Sequence, residues 1–246
     1  EEHDSEDDEE AEIYGKTLRP TSEQLAALGL ARGPNSVEFV VSVAGQGEHS
    51  VTANVFLWDS AAKVVVSDIE GTITRSSKLG SYIPVVGAGV HEGVSTLFTN
   101  MSKNGYEVVY LTQDARTLKT LSLSTGGDSG AGPSLPRGPV LCPPEALFHS
   151  VAPRDSHRHL DVFKMTALRG VKLLFPADHN PLHAGFGNTF TDMVAYKKME
   201  VPEGRIFLIN KNGELQNINH TYRKTYLSLN ELVDDMFPPL PRGGGG

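Results

Sequence analysis

The sequence is poor in cysteine, in long apolar runs and in clustered positive charge, and each shortage excludes a class of protein. Cys142 is the only cysteine, so an internal disulfide is excluded and a reducing compartment is favoured. No apolar run approaches the ~18 residues of a membrane span, and we expect no secretory signal peptide. The absence of a basic stripe argues against nucleic acid as a partner.

Negative charge is concentrated at the start of the chain. The net charge is -8, but the first twelve residues, "EEHDSEDDEEAE", hold nine acids and no Lys or Arg, and the rest has 21 acids and 22 bases. Because like charges repel and stay solvated, residues 1–13 are predicted to be a disordered acidic tail, with a docking or regulatory role as the alternative. A second disordered tail, rich in Pro and Gly, is predicted at 239–246. The chain begins at Glu1 rather than Met, so we expect it to be part of a longer protein.

Residues 14–60 are predicted to form one helix and one β-hairpin. The stretch "TSEQLAALGL" has Thr21 or Ser22 as a helix cap, followed by leucines at helical spacing. Two strands, "SVEFVVSV" and "VTANVFLW", flank the glycine-containing loop "AGQGEHS". Since an isolated hairpin is marginal in water, we expect this pair to join another sheet or the main core.

Residues 61–238 alternate strands and helices, which is typical of a Rossmann-like parallel α/β sheet with right-handed crossovers. The predicted strands are "KVVVS", "YEVVYLT", "LHAGFG" and "GRIFLIN". The predicted helices are "VHEGVSTLFTNMSK", "TLKTLSLST", "FKMTALRGVKLLF", "TDMVAYKKM" and "SLNELVDDMF". The segment "GGDSGAGPS" is predicted to be a flexible insertion.

Four polar residues stand at or near the ends of these strands, where such sheets bind ligands. Asp68 follows the first strand, Thr112 follows the second, Lys164 is placed at a helix start, and Asp192 follows "AGFGNTFT". Taken singly, each has an ordinary structural role in a turn, a cap or a solvated surface. Taken together, one lysine, one hydroxyl and several carboxylates on one edge indicate phosphoryl transfer with Mg2+.

Each residue type suits a step of that chemistry. An aspartate such as Asp68 can attack phosphorus and form an aspartyl-phosphate. Mg2+ prefers hard oxygen ligands, and lysine and hydroxyl donors hold the phosphate oxygens. The second acid of "DIEGT", Glu70, can protonate the leaving alkoxide and then activate water.

The motifs resemble the haloacid-dehalogenase superfamily, in which an apolar strand ends in D-x-D-G-T. The blocks "FLWDSAAKVVVSDIEGTITRS", "LPRGPVL", "AGFGNTFTD" and "RIFLINKNGEL" resemble more closely the catalytic region of lipin-type phosphatidate phosphatases, from about Tyr14 to Pro238. The resemblance implies an early strand region that forms part of an immunoglobulin-like sandwich, completed by an amino-terminal segment outside this chain.

The resemblance also implies roles for particular residues. Asp68 corresponds to the nucleophile, Glu70 to the acid/base, and Thr112 and Lys164 to the phosphate-binding groups. The implied Mg2+ ligands are Asp68, the backbone carbonyl of Glu70, and Asp192. Gly71, Thr72 and Asn188 are implied as supporting residues.

The implied substrate is phosphatidic acid in membranes, which would be converted to diacylglycerol. The implied location is cytoplasmic or nuclear, peripheral at the endoplasmic reticulum or nuclear membrane. The exposed loop "GSYIPVVGAGV" is a candidate for bilayer contact, with ordinary core packing as the alternative.

Three departures from the family pattern bear on activity. Glu70 replaces an aspartate, which moves the carboxyl group by more than an ångström, and a displacement of that size can cost about a hundredfold in rate. Asp114 stands where the family usually has an arginine, with Arg116 displaced, and Thr189 replaces the arginine of G-N-R. Reduced phosphatase activity is therefore expected. One alternative is a degraded module that binds phosphatidic acid without hydrolysing it, and another is a phosphatase for soluble phosphates.

Overall fold

The computed structural model describes residues 20–45, 47–75, 89–113, 135–143, 157–217 and 223–241. The acidic tail, the predicted helix "TLKTLSLST" and the insertion "GGDSGAGPS" lie outside these residues, as does most of the loop "GSYIPVVGAGV". The described residues form a two-stranded sheet and a seven-stranded sheet with helices. None of the described helices has the length and apolar character needed to cross a membrane.

The first region contains the predicted helix and hairpin. Helix α1, Ser22–Ala27, begins at the N-cap Thr21, whose side chain and Gln24 form a reciprocal capping box. Strand β1, Gly33–Val43, pairs antiparallel with β2, Gly47–Leu57. β2 begins four residues before the predicted "VTANVFLW", so the connection is shorter than expected.

One face of this hairpin is apolar and largely exposed. The register sets Phe39 opposite Val51 and Val37 opposite Ala53, so period-two alternation collects apolar side chains on one side. We call this side the hairpin face: Val37, Phe39, Val41, Val43, Val51, Ala53, Val55 and Leu57. Phe39 is 60% exposed and Val51 is 67% exposed. Within the described part of the chain no third strand pairs with this hairpin, so of the two expected arrangements, joining another sheet is not observed.

The seven-stranded sheet has the order β5-β4-β3-β6-β7-β8-β9. The strands are β3 Val64–Asp68, β4 Glu107–Leu111, β5 Val140–Leu141, β6 Leu182–Gly187, β7 Ile206–Ile209, β8 Glu214–Asn217 and β9 Arg223–Thr225. Five neighbouring strands run parallel, as predicted: β5, β4, β3, β6 and β7. Strands β8 and β9 then extend the sheet antiparallel at the β7 side. The sheet is therefore mixed rather than purely parallel.

Helices cover both faces of the sheet. They are α2 Val94–Lys103, α3 His157–Lys172, α4 Phe190–Lys198, α5 Tyr226–Asn230 and α6 Val233–Met236, with a 3-10 turn at Glu203–Arg205. Alternate residues of β3 enter separate apolar clusters, since Val65 packs with Phe98 while Val66 packs with Leu168. A strand buried on both faces explains the continuous apolar run "VVV".

Three predicted helices differ in their bounds. α2 begins at Val94, four residues after the start predicted at Val90. The closing helix "SLNELVDDMF" is divided into α5 and α6. α3 begins six residues before the predicted Phe163, because its first residues lack the apolar periodicity that marks the rest. Lys164 is therefore in the middle of a helix rather than at its start. Leu240, assigned from sequence to the second tail, packs on the core, and its N–H donates to the carbonyl of Asn104.

A matched pair of glycine substitutions tests the packing of α4 on β6. A Cβ at Gly185 would lie 2.7 Å from the Tyr196 ring, whereas a Cβ at Gly170 in α3 would have no neighbour within 4 Å. We expect Gly185→Ala to lower the free energy of unfolding by about 1–3 kcal/mol through overpacking. Gly170→Ala should raise it by up to about 1 kcal/mol through helix propensity. Urea unfolding of both variants measures this, and equal effects would contradict the packing.

Candidate active site

The carboxyl ends of the parallel strands β5, β4, β3, β6 and β7 lie along one edge of the large sheet, which we call the rim. Asp68 is the last residue of β3, and Thr112 directly follows β4. Asn188 directly follows β6. Strand pairing thus brings residues far apart in sequence to one edge, where the parallel topology predicts a ligand site.

Asp68, Lys164 and Asp192 form a buried cluster, which we call the charged trio. The Lys164 ammonium donates to Asp68 Oδ1 at 2.8 Å and also to Asp192 Oδ1. All three side chains are buried. Two carboxylate oxygens that share one ammonium are at most two hydrogen-bond lengths apart, so the two acids face a common small volume.

Asp192 is held by the turn between β6 and α4. Its Oδ2 accepts from the N–H of Asn188 at 3.1 Å, the N–H of Thr189 at 3.0 Å and the Thr189 hydroxyl at 2.7 Å. Thr189 is the N-cap of α4, and Asp192 completes a capping box. A Cβ at Gly187 would lie 2.4 Å from the Asp192 Cβ, so only glycine permits this close approach. These contacts leave Oδ1 directed at Lys164.

A tight turn follows Asp68. Gly71 has φ 83°, a left-handed conformation that favours glycine. The carbonyl of Ile69 accepts from the N–H groups of Thr72 at 3.2 Å and Ile73 at 3.0 Å. The hydroxyl of Tyr226, on α5, donates to the Thr72 carbonyl at 2.9 Å and ties the turn to the far helix. The glycine of "DIEGT" is thus explained by backbone geometry.

Glu70 reaches across to the end of β4. Its Oε1 accepts from the Thr112 hydroxyl at 2.5 Å, and its Oε2 accepts from the Gln113 N–H at 3.3 Å. Glu70 and Thr112 are both buried. The predicted acid/base and the predicted phosphate-binding hydroxyl are therefore in direct contact, an arrangement that the sequence did not indicate.

Burial and the mutual attraction of the charges together set the pKa values in the charged trio. Burial raises the pKa of Asp68 to about 8; Lys164 opposes this rise, whereas Asp192 and Glu70 add to it. Burial alone would lower the pKa of Lys164, but Asp68 and Asp192 outweigh it and raise that pKa. Since ionisation of both acids would leave one excess negative charge beside Lys164 in a buried site, a bound cation would favour the ionised form of Asp68.

The donor atoms fit a hard divalent cation. No three His, Cys, Asp or Glu side chains of the described residues cluster as a metal site. Mg2+, however, usually takes only one or two carboxylates, with carbonyls, waters and phosphate completing its shell. Asn188 Oδ1 is a buried acceptor without a hydrogen-bond partner among the described residues, beside Asp192. The Glu70 carbonyl, predicted as a ligand, belongs to the turn directly after Asp68.

The structure places the predicted residues in two groups at the rim. One is the charged trio, and the other is the hydrogen-bonded pair of Glu70 and Thr112. Thr72 adds a buried hydroxyl oxygen that lacks a hydrogen-bond partner in the described ranges. Asp114 and Arg116 lie outside the described residues. Sequence reasoning missed the support from Tyr226 and from the Gln113 N–H. The role of Thr189 could have been found, because T-x-x-D is a capping-box pattern.

Comparison with known proteins gives the family. The LNS2 (Lipin/Ned1/Smp2) family model matches residues 16–238. The chain is 38% identical to phosphatidate phosphatase PAH1 of Arabidopsis thaliana over 91% of its length, which is 25% of that protein. It is 38% identical to phosphatidate phosphatase LPIN1 of Homo sapiens over 93% of its length, which is 26% of that protein.

A fungal relative gives the same result. The chain is 39% identical to nuclear elongation and deformation protein 1 of Schizosaccharomyces pombe, covering 92% of this chain and 35% of that protein. The chain thus spans between a quarter and about a third of the length of these curated relatives. The charged trio, the "DIEGT" turn and the family match lead to one conclusion: the chain belongs to the Lipin/Ned1/Smp2 family.

Proposed function

We propose that this chain is the catalytic region of a Mg2+-dependent phosphatidate phosphatase with a haloacid-dehalogenase-type fold. The proposal is carried by one observation, the charged trio on the rim, where a nucleophilic carboxylate, a lysine and a second carboxylate share one small volume. The names of the relatives from Arabidopsis thaliana and Homo sapiens support the choice of substrate.

In the proposed reaction, a carboxylate oxygen of Asp68 attacks the phosphorus of phosphatidic acid. The new bond joins this oxygen to phosphorus, and the bond from phosphorus to the diacylglycerol oxygen breaks. Water then attacks the aspartyl-phosphate, which releases phosphate and restores the Asp68 carboxylate. Covalent catalysis divides one difficult hydrolysis into two easier steps.

Asp68, Asp192 and the Glu70 carbonyl would hold the metal. When bound, Mg2+ supplies positive charge that offsets the two carboxylates and the phosphate. The ammonium of Lys164 already lies between the two acids and can donate to an entering phosphate oxygen as well. Before the phosphate enters, the buried position of all three side chains keeps bulk water away from the attacking oxygen.

Glu70 would move the proton. Its carboxyl group donates a proton to the leaving diacylglycerol oxygen and accepts one from the attacking water. Because Thr112 has one hydroxyl proton, donation to a phosphate oxygen requires its bond to Glu70 to open. We therefore propose that activity is reduced relative to a site with aspartate at this position.

The hydrogen bond between Thr112 and Glu70 favours a second candidate function. If the Thr112 hydroxyl remains bound to Glu70, the site retains charged groups that bind phosphate but lacks an available proton carrier. The chain would then bind phosphatidic acid as a regulatory module without hydrolysing it. Substitution of Glu70 distinguishes the two functions.

The hairpin face supports a partner outside this chain. Eight apolar side chains on one side of a two-stranded sheet need cover, since an isolated hairpin is marginal in water. We propose that an amino-terminal segment of a longer protein covers this face and completes an immunoglobulin-like sandwich. We further propose peripheral attachment at the endoplasmic reticulum or nuclear membrane, where phosphatidic acid is presented.

Replacement of the nucleophile tests the mechanism. Asp68→Asn keeps the shape of the side chain but removes the attacking carboxylate, so phosphate release from phosphatidic acid in mixed micelles should fall on the order of 10⁴-fold or more. Removal of Mg2+ with a chelator should also abolish release, and added Mg2+ should restore it. Exposed Asp178, remote from the rim, provides the matched control Asp178→Asn, which should keep the parental rate. Parental turnover by Asp68→Asn would exclude the aspartyl-phosphate, and faster turnover of a soluble hexose phosphate would exclude the lipid substrate.

Two substitutions of Glu70 test the proton carrier. Glu70→Asp withdraws the carboxylate from Thr112 and frees that hydroxyl for phosphate, so kcat should rise about tenfold. Glu70→Gln removes the titrating proton and should lower kcat by about 10²–10⁴-fold. Steady-state kinetics on phosphatidic acid measures both. A lower kcat in Glu70→Asp would mean that the site is built around the longer acid, and a parental kcat in Glu70→Gln would exclude the acid/base role.

A further inference from the structure

Two neighbouring turns on the rim carry exposed side chains that the proposed chemistry does not use. The turn after β6 runs through Asn188 and Thr189 into Phe190, the first residue of α4. The turn after β7 carries Lys211. Because β6 and β7 are adjacent parallel strands, both turns leave the sheet side by side at the edge that holds the charged trio.

Phe190 is unusually exposed for a large aromatic side chain. It is 73% exposed, although it lies only two residues from the buried Asp192. Side chains of a helix lean toward its amino terminus, and the amino terminus of α4 is at the rim. Phe190 therefore projects outward at the rim rather than toward a core.

Lys211 lies on a hydrogen-bonded turn. The N–H of Gly213 donates to the Asn210 carbonyl at 3.0 Å, and the N–H of Asn212 donates to the Asn210 side chain at 2.9 Å. The nearby Glu214 carboxylate accepts from the Asn210 amide at 2.6 Å. Lys211 is exposed, and no ion pair involves it in the part of the chain that the structure describes.

We propose that Phe190 and Lys211 form the membrane-contact surface of the site, with an anionic phospholipid bilayer as the partner. This inference rests on the proposed function, because the phosphate of a lipid must reach Asp68 while its acyl chains remain in the bilayer. The bilayer must therefore touch the rim. Phe190 enters the interface between headgroups and acyl chains, and Lys211 contacts anionic headgroups.

The chain supplies matched controls at the opposite edge of the sheet. Leu174 is 79% exposed and lies between the end of α3 and the start of β6. Lys103 is exposed at the end of α2, shortly before β4 begins. Both therefore lie at the amino ends of the strands, away from the rim. An effect of apolar or positive surface in general would appear equally at these positions.

Vesicle flotation in the Asp68→Asn background tests the surface without turnover. On vesicles of phosphatidylcholine with phosphatidic acid, Phe190→Ser should weaken binding about tenfold. Lys211→Glu should weaken it about fivefold or more. Leu174→Ser and Lys103→Glu should bind as the background does. Equal loss in rim and control variants, or no binding by the background itself, would overturn the inference.

A tryptophan probe provides a gain of signal that does not depend on loss of binding. Phe190→Trp should show a blue-shifted emission on adding the same vesicles, whereas Leu174→Trp should show none. Melting curves of all variants verify that each is folded. An unchanged emission from Phe190→Trp on vesicles that bind the protein would place the membrane contact elsewhere.

Activity separates failure of the surface from failure of the proposed function. In chains with Asp68 intact, the rate on vesicles divided by the rate on a water-soluble phosphate ester should fall about tenfold in Phe190→Ser and stay parental in Leu174→Ser. A parent chain that hydrolyses no phosphatidic acid contradicts the proposed function, while flotation still tests the surface. A parental rate ratio in Phe190→Ser contradicts the surface and leaves the phosphatase intact.

Discussion

The site depends on one ammonium group shared by two buried carboxylates. Lys164 lies in the middle of α3, Asp68 ends β3, and Asp192 lies in the first turn of α4, so the contact joins a strand to two helices. Removing one member of such a buried group leaves the other charges uncompensated, which typically costs several kcal/mol. The trio is therefore a structural junction as well as a chemical centre.

The surrounding turns fix the directions of these charges. Three donors occupy one oxygen of Asp192 and turn the other toward Lys164. Gly187 allows the approach of Asp192, and Gly71 allows the sharp exit of the chain from β3. The carboxylate of Glu70 accepts from the hydroxyl of Thr112, which is far away in sequence but follows the strand adjacent to β3 in the sheet. The geometry of the turns thus decides which groups meet.

Much of this arrangement could be predicted from the sequence, for identifiable reasons. The unbroken "VVV" before Asp68 predicted a strand buried on both faces, and alternating elements predicted the parallel part of the sheet. The short strands β5, β8 and β9 have little apolar periodicity, and their formation depends on edges provided by other strands. The early start of α3 was missed because its first residues also lack apolar periodicity. The bond between Glu70 and Thr112 could not be predicted, because it depends on the exact exit angles of two turns.

The hairpin face has a practical consequence for anyone who isolates this region. A contiguous apolar surface on a short sheet promotes self-association in water, independently of how stable the catalytic sheet is. Solubility and melting temperature of the isolated polypeptide should therefore vary separately. Polar replacements at Phe39 and Val51 would keep the material dispersed while the charged trio stays unaltered.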